Sequence, residues 1–185
     1  MIAAVIGGAG SGKSAFAESL ALKLCRKPPV YLATMINTGA EDEKIIKRHR
    51  KLRDGKGFIT IEKAVRLYET QLPVCDTVLL EDVSNLIANE FFSCGHPILP
   101  QDAYNEAVHG MDFLAGYAEN LVIVTSNVFE DGIRYDKFTE EYMETFGRLN
   151  MHIAEISDVF AETVCGLPVY YKGRPEGYTG GFAGI

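Results

Sequence analysis

Two hydrophobic periods alternate along the chain. Ile2–Ile6 is a continuous apolar run that stops at a glycine cluster, the pattern of a parallel strand buried on both faces. From Ser14 to Leu24, Phe16, Leu20 and Leu24 recur every four residues with Ala17 and Ala21 beside them, which makes one apolar helix face. Pro28-Pro29 closes that unit, and Val30–Thr34 is a second strand. Residues 40–53 are charged throughout but space Ile45, Ile46 and Leu52 for one face of a helix. Asp54-Gly55-Lys56-Gly57 is a turn by composition, and Phe58–Glu62 alternates as a strand does. The pattern then predicts a helix over Lys63–Leu72 closed by Pro73, a buried strand over Thr77–Leu80, and a helix from Ser84 to Phe92. Ser93–Pro100 predicts a loop, Asp102–Glu119 a helix interrupted in propensity by Gly110 and Gly116, Leu121–Thr125 a strand, and residues 126–135 a loop. Phe138, Tyr142, Phe146, Leu149, Ile153 and Ile156 step by three or four and predict a long amphipathic helix. Ala161–Cys165 and Val169–Tyr171, separated by Gly166-Leu167-Pro168, predict a terminal hairpin. Residues 173–185 hold five glycines and little to pack, which predicts a mobile tail. Strands alternating with helices through short loops imply an α/β fold around a mostly parallel sheet, with one domain over residues 1–172.

Composition narrows the function classes. The 185 residues are 47% hydrophobic and 23% charged, an ordinary globular balance. A net charge of −7 argues against a surface built to neutralise nucleic-acid phosphates. The longest apolar runs fall far short of the roughly 20 residues that span a bilayer, and no basic leader follows Met1, so the expectation is a cytoplasmic protein without a membrane span. Cys25, Cys75, Cys94 and Cys165 have wide, irregular gaps and no C-x-x-C pair. They are expected to be free thiols in a reducing compartment, each a small buried apolar residue.

Gly7-Gly8-Ala9-Gly10-Ser11-Gly12-Lys13-Ser14 fits G-x-x-x-x-G-K-[ST] and lies where its chemistry requires, after an apolar strand and at the start of an amphipathic helix. The glycines let successive backbone N–H groups turn inward around phosphate oxygens, and the helix N-terminus adds partial positive charge. In this loop Lys13 reaches the β- and γ-phosphates and Ser14 the Mg²⁺. A second acid is needed for the metal. Leu79-Leu80-Glu81-Asp82 ends a buried strand, where either Glu81 or Asp82 serves; the alternative is an acid that caps the following helix, a role that suits Asp82 more than Glu81. Lys47-Arg48-His49-Arg50-Lys51-Leu52-Arg53 is the only concentrated basic segment. By itself such a helix is an ordinary solvated face. His96, His109 and His152 have no spacing that suggests a metal site.

Together these segments resemble one family, the bifunctional adenosylcobinamide kinase/adenosylcobinamide-phosphate guanylyltransferases of cobalamin biosynthesis. The resemblance is carried by the phosphate loop, Tyr31-Leu32-Ala33-Thr34, Ile46-Lys47-Arg48-His49-Arg50, Thr60-Ile61-Glu62, and Leu79-Leu80-Glu81-Asp82 with Asn85 and Asn89 behind it. Leu121–Thr125, Phe146-Gly147-Arg148-Leu149-Asn150 and Gly166-Leu167-Pro168-Val169 complete it, so that it runs from residue 1 to about residue 172. It implies a three-layer, RecA-like P-loop NTPase fold and a homotrimer. It also implies phosphorylation of the adenosylcobinamide hydroxyl, then GMP transfer from GTP through a histidine-GMP intermediate. The substrates implied are the corrinoid and GTP or ATP with Mg²⁺. His49 matches the guanylylated histidine. Ala33, Thr34, Met35, Arg50, Lys51, Leu52, Arg53, Glu62 and Glu81 match nucleotide contacts, beside Gly7 through Ser14.

The chain departs from the family pattern in places. Ser126-Asn127-Val128-Phe129 stands where the family has Asn-Glu-Val-Gly, Met151 where it has Gln, and Asp54-Gly55-Lys56-Gly57 where it has Arg-Pro after the histidine segment. Two other readings share the phosphate loop: a kinase of another small hydroxylated metabolite, and a nucleotide-binding regulatory module. Against a GTP switch, Thr125-Ser126-Asn127-Val128 follows Val124 where a guanine-reading Asn-Lys-x-Asp would be expected.

Overall fold

A computed structural model describes residues 1–37, 39–92, 98–127 and 132–175. Seven strands form one sheet. The first strand, β1 (Ile2–Ile6), lies between β5 (Asn120–Val124) and β6 (Val159–Val164). Beyond β5 come β4 (Thr77–Glu81), β2 (Val30–Ala33) and β3 (Ile59–Glu62), and beyond β6 comes β7 (Leu167–Lys172). Every neighbouring pair is parallel except the β6–β7 hairpin. The helices are α1 (Lys13–Leu24), α2 (Ala40–Arg53), α3 (Val83–Phe92), α4 (Pro100–Tyr117) and α5 (Lys137–Ile156).

The apolar runs of the inner strands lack alternation because both faces are covered. Ala3 and Val5 of β1, Leu79 of β4, and Val122 and Val124 of β5 pack with Phe16, Ala17, Leu20 and Ala21 of α1. Ala4, Val78, Leu80, Leu121 and Ile123 point the other way. They pack with Leu86, Ile87 and Phe91 of α3, Met111 and Leu114 of α4, and Phe146, Leu149 and Ile153 of α5. A helix–sheet–helix sandwich results, in which each fully buried Leu or Ile side chain contributes roughly 1.5–3 kcal/mol of transfer free energy. Asp136 starts α5 by accepting N–H bonds from Phe138 and Thr139 at 3.0 and 3.1 Å, an N-cap worth about 1 kcal/mol. Among the described residues α2 makes no extended packing with another helix or strand. Because the strands run parallel, the loops after β1, β2 and β4 all emerge at one edge of the sheet, the usual ligand-binding edge of such folds.

Several local expectations are corrected. Lys63–Leu72 is not a helix; only Leu67–Glu69 makes a 3₁₀ turn. Tertiary bonds outcompete the helical ladder there. Lys63 N–H donates to Ala33 O, the Asn89 amide donates to Ala64 O, and Glu90, buried on α3, accepts the Arg66 N–H at 2.7 Å. Arg66 is thereby held at a φ of 47°. In the hairpin the turn is Cys165-Gly166, and Leu167 and Pro168 already belong to β7. Cys165 in that turn is exposed, whereas Cys25 and Cys75 are half-buried; Cys94 lies outside the described residues. Of the predicted tail, residues 176–185 lie outside the described residues, but its first residues do pack. Arg174 sits over the Tyr170 ring and Pro175 is buried.

Candidate active site

The loop between β1 and α1 has the backbone that the glycine pattern requires. Gly10 and Gly12 take φ values of 71° and 93°, a left-handed conformation that turns successive amides toward one centre. Gly7 answers a different demand. A β-carbon there would stand 2.5 Å from Ser11 Oγ and 2.6 Å from Thr163 Oγ1. Those two hydroxyls are 3.0 Å apart and hydrogen-bonded, and Gly166 N–H donates to Ser11 O at 2.9 Å. The terminal hairpin therefore braces the loop, and Gly7 is buried beneath it while Gly8 and Ala9 are exposed on its rim. Lys13 Nζ folds back over the loop and donates to Gly8 O at 3.3 Å.

The structure separates Glu81 from Asp82. Glu81 ends β4 with its carboxylate buried, and its Oε1 accepts a 2.5 Å hydrogen bond from Ser14 Oγ. Its Oε2 is buried with no hydrogen-bond partner among the described residues. Burial first, and then the Asp82 charge, push the Glu81 carboxyl up to about 8, against the opposing pull of Ser14 and Lys13. Asp82 instead caps α3: its Oδ1 accepts from Ser84 Oγ, Asn85 N–H and Asn85 Nδ2 at 2.7–3.0 Å. Thr34 is fully buried and turned away from the cleft. Its hydroxyl donates to Asp82 O at 2.7 Å and accepts the Asp82 N–H at 2.9 Å, tying the end of β2 to the end of β4. Asn89 adds a 2.7 Å bond to Thr34 O.

The last turns of α2 supply the opposite wall. His49 is half-buried, and Arg53, four residues on and so on the same helix face, is only 7% exposed. The Arg53 guanidinium lies 3.6 Å from the centroid of the Tyr31 ring, a contact worth about 2 kcal/mol where it is desolvated. Burial chiefly, and then the Arg53 charge, hold the His49 imidazolium below its ordinary value of 6.5; Glu18 opposes them, Arg48 adds to the lowering, and Asp82 opposes it least. Glu18, buried on α1, pairs with Lys56 at 2.6 Å and pins the turn after α2 to the sheet.

One cleft of about 460 Å³ gathers Gly10, Ser11, Gly12, Lys13, Ser14, Ala33, Met35, His49, Arg53, Glu62 and Glu81 from the sequence-derived set. It excludes Gly7, Gly8, Ala9 and Thr34, which shape its floor and rim. Arg50 does not line this cleft; it pairs with Glu62 and lines a neighbouring cleft that Arg53 also borders. Lys51 is exposed, and the Leu52 side chain lies outside the described residues. Tyr31, Ile46, Arg48, Asp82 and Asn85 also line the cleft. Asp82 is already a candidate for the metal by sequence and Arg48 part of the basic segment; Tyr31, Ile46 and Asn85 have no site role in the sequence beyond standing next to matching motif residues. Asn150 of the Gly147-Arg148-Leu149-Asn150 segment proves to be an internal tie. It accepts from Thr125 Oγ1 at 2.6 Å and donates to Ser126 O at 3.2 Å, so it fixes the end of β5.

Residues 3–171 match the sequence model of the cobinamide kinase / cobinamide phosphate guanyltransferase (CobU) family. A curated relative, the bifunctional adenosylcobalamin biosynthesis protein CobP of Pseudomonas aeruginosa, is 28% identical over 173 residues, spanning 92% of this chain and 97% of the relative. Among solved structures, the flagellar accessory protein FlaH of Methanocaldococcus jannaschii is similar with a TM-score of 0.54 at 15% identity, covering 94% of this chain and 78% of that one. A KaiC-like protein of Pyrococcus horikoshii gives 0.53 at 10% identity, covering 94% and 80%. At such identities the two structures speak to fold alone, and they agree with the P-loop NTPase architecture expected of the chain. With a phosphate loop, a buried acid bonded to its serine, and a family match over nearly its whole length, the chain is a transferase of the cobinamide kinase / cobinamide phosphate guanyltransferase family.

Proposed function

We propose that this transferase phosphorylates the hydroxyl of adenosylcobinamide and then moves GMP from GTP onto adenosylcobinamide phosphate, giving adenosylcobinamide-GDP, with His49 as the covalent GMP carrier. The observation that carries the reading is the meeting, in one cleft, of the phosphate loop and a half-buried histidine whose positive form is disfavoured. A neutral imidazole keeps the lone pair that attack on phosphorus needs. In the first step a ring nitrogen of His49 attacks the α-phosphorus of GTP; the P–N bond forms, the bond to the bridging oxygen breaks, and pyrophosphate leaves with the electron pair. In the second step a phosphate oxygen of the acceptor attacks the same phosphorus and the P–N bond breaks, returning His49 to the neutral state. Arg53, with its buried Nε unpartnered, and Lys13 supply cations against the charge that develops on the phosphates. In the kinase step the corrinoid hydroxyl oxygen attacks the γ-phosphorus and gives up its proton to solvent; the bond from that phosphorus to the β,γ-bridging oxygen breaks, and the nucleoside diphosphate departs with the electron pair.

The residues present suit Mg²⁺. Ser14 and Glu81 would hold it, since a hydroxyl and a buried carboxylate oxygen with no other partner are the hard donors it prefers. Bound there, it would offset charge on the β- and γ-phosphates. Glu81→Gln keeps the shape and cannot release a proton to become an anionic ligand as a bound cation would require, so the Mg²⁺ concentration for half-maximal turnover is expected to rise about tenfold or more. A Mg²⁺ titration of the rate that superimposes on that of the unmodified protein would overturn this assignment. A homotrimer and a cytoplasmic location belong to the same reading. No helix among the described residues is long and apolar enough to cross a membrane, and the trimer is expected to sediment at three times the 20.4 kDa chain mass. The central test is incubation with α-labelled GTP and Mg²⁺. Covalent label that is acid-labile and alkali-stable, as a phosphoramidate is, supports the reading; a protein that turns over nucleotide and never traps label rejects the guanylyl half of it.

A further inference from the structure

What holds α2 in place is the least expected feature of the cleft. The helix makes no extended packing among the described residues, yet Arg53 in its last turn is as buried as a core side chain. No carboxylate pairs with that guanidinium among the described residues, and its Nε is buried with no hydrogen-bond partner there. Its neighbour is the face of Tyr31, 3.6 Å away. Tyr31 sits on β2 at 1% exposure, and its ring is fixed edge-on by Phe58 at a centroid distance of 5.9 Å and an angle of 84°. The chain thus builds a rigid two-ring platform on the sheet, and a planar cation lies on it.

We propose that Tyr31 is a positioning residue for guanylyl transfer: its ring face holds the Arg53 guanidinium, and with it the His49 edge of α2, against the phosphate-loop cleft. The proposal rests on His49 carrying GMP. Stacking suits this task better than an ion pair. A carboxylate would occupy the N–H groups of Arg53, whereas an aromatic face fixes the plane and leaves those donors free for a phosphate. Tyr31 itself touches no reacting atom in this scheme. The charged groups that face His49 are Arg53 and Arg48 from α2, Glu18 from α1 and Asp82 after β4. Arg53 opposes protonation and the two acids favour it. Releasing Arg53 from the ring leaves the acids less opposed, so His49 binds its proton at higher pH.

The test compares Tyr31→Leu, Tyr31→Phe and Arg53→Gln with the unmodified protein by two measurements. One is the titration of the His49 ring proton by NMR without nucleotide, assigned by its loss in His49→Ala. The other is the rate of label capture from α-labelled GTP. Tyr31→Phe keeps the face and is expected to stay within about twofold in rate with an unmoved titration. Tyr31→Leu and Arg53→Gln are each expected to move the titration upward and to slow capture about tenfold or more, and the double variant to be no worse than the poorer single one. Additive losses in the double variant, or a His49 titration unmoved in Arg53→Gln, would overturn the proposal. If Tyr31→Leu does not fold, Arg53→Lys replaces it: the charge stays while the flat guanidinium that lies on the ring is lost, and a capture rate and His49 titration matching those of the unmodified protein would overturn the proposal. Absence of label in every protein, the unmodified one included, would sink the His49–GMP reading and this role with it. An unmoved titration alongside normal labelling would sink the positioning role alone.

Discussion

Replacing His49 by alanine is expected to abolish covalent capture of GMP, lowering it by about a thousandfold or more, because the P–N bond has no atom to form on. His152→Ala is the control. His152 lies on α5 with its ring edge against Tyr104 and lines no part of the cleft, so label is expected to persist there. The pH dependence follows from the sign of the His49 shift. The imidazole is the reactive form above its pKa, and burial with Arg53 and Arg48 lowers that pKa below 6.5. The neutral form therefore survives to lower pH than in a solvated histidine. Single-turnover capture is expected to stay level through pH 7 and to fall only on the acid side of 6.5. Label retained in His49→Ala, or an acid limb lying above 6.5, would refute the role.

The second large effect is expected at Lys13. Its ammonium rests on Gly8 O at 3.3 Å, a long and easily exchanged bond within the loop itself, and it lines the cleft beside that loop. Lys13→Ala is expected to weaken triphosphate binding and to lower phosphoryl transfer by about two to three orders of magnitude, since stabilising developing charge is the main catalytic contribution in such reactions. The fold has little stake in this side chain, which is part-exposed and joins neither core cluster, so the thermal midpoint is expected to stay within a few degrees. Undiminished kinase turnover in a folded Lys13→Ala protein would remove the phosphate-loop assignment altogether.

How the sequence and the structure divide the site is clearest in α2. Its boundaries were legible because residues 40–53 lie between a strand and a glycine turn, and its one concentrated basic stretch was plain. Which base faces which partner was not. Arg50 and Arg53 are equivalent by residue type. Arg50 meets Glu62 because β3 lies beside β2, and Arg53 meets Tyr31 because that ring leaves the sheet on the cleft side. The same holds for Glu81 and Asp82, adjacent acids that either role would suit. In a strand, successive side chains point to opposite faces, and the last strand residue and the helix cap after it diverge further. Glu81 therefore turns to Ser14 while Asp82 turns to the N-terminus of α3.

By itself the sequence determined the local and periodic features. Ile2–Ile6, Thr77–Leu80 and Leu121–Thr125 had to be buried strands, because nothing polar interrupts them. Gly10 and Gly12 had to be glycines, because the loop needs their left-handed backbone. Lys13 and Ser14 had to open a helix. Only the tertiary structure decided what depends on distant partners. The apolar spacing of Lys63–Leu72 permits a helix, but Glu90 and Asn89 on α3 offer its backbone better-placed bonds. Gly7 is tight against Thr163, a residue 156 positions away. His49 sits on a basic helix that by composition belongs in solvent, and it enters the cleft because the Tyr31 ring buries Arg53 one turn further on. Periodicity records which side of an element is apolar, whereas the charge state and reach of a side chain depend on what the chain brings against it.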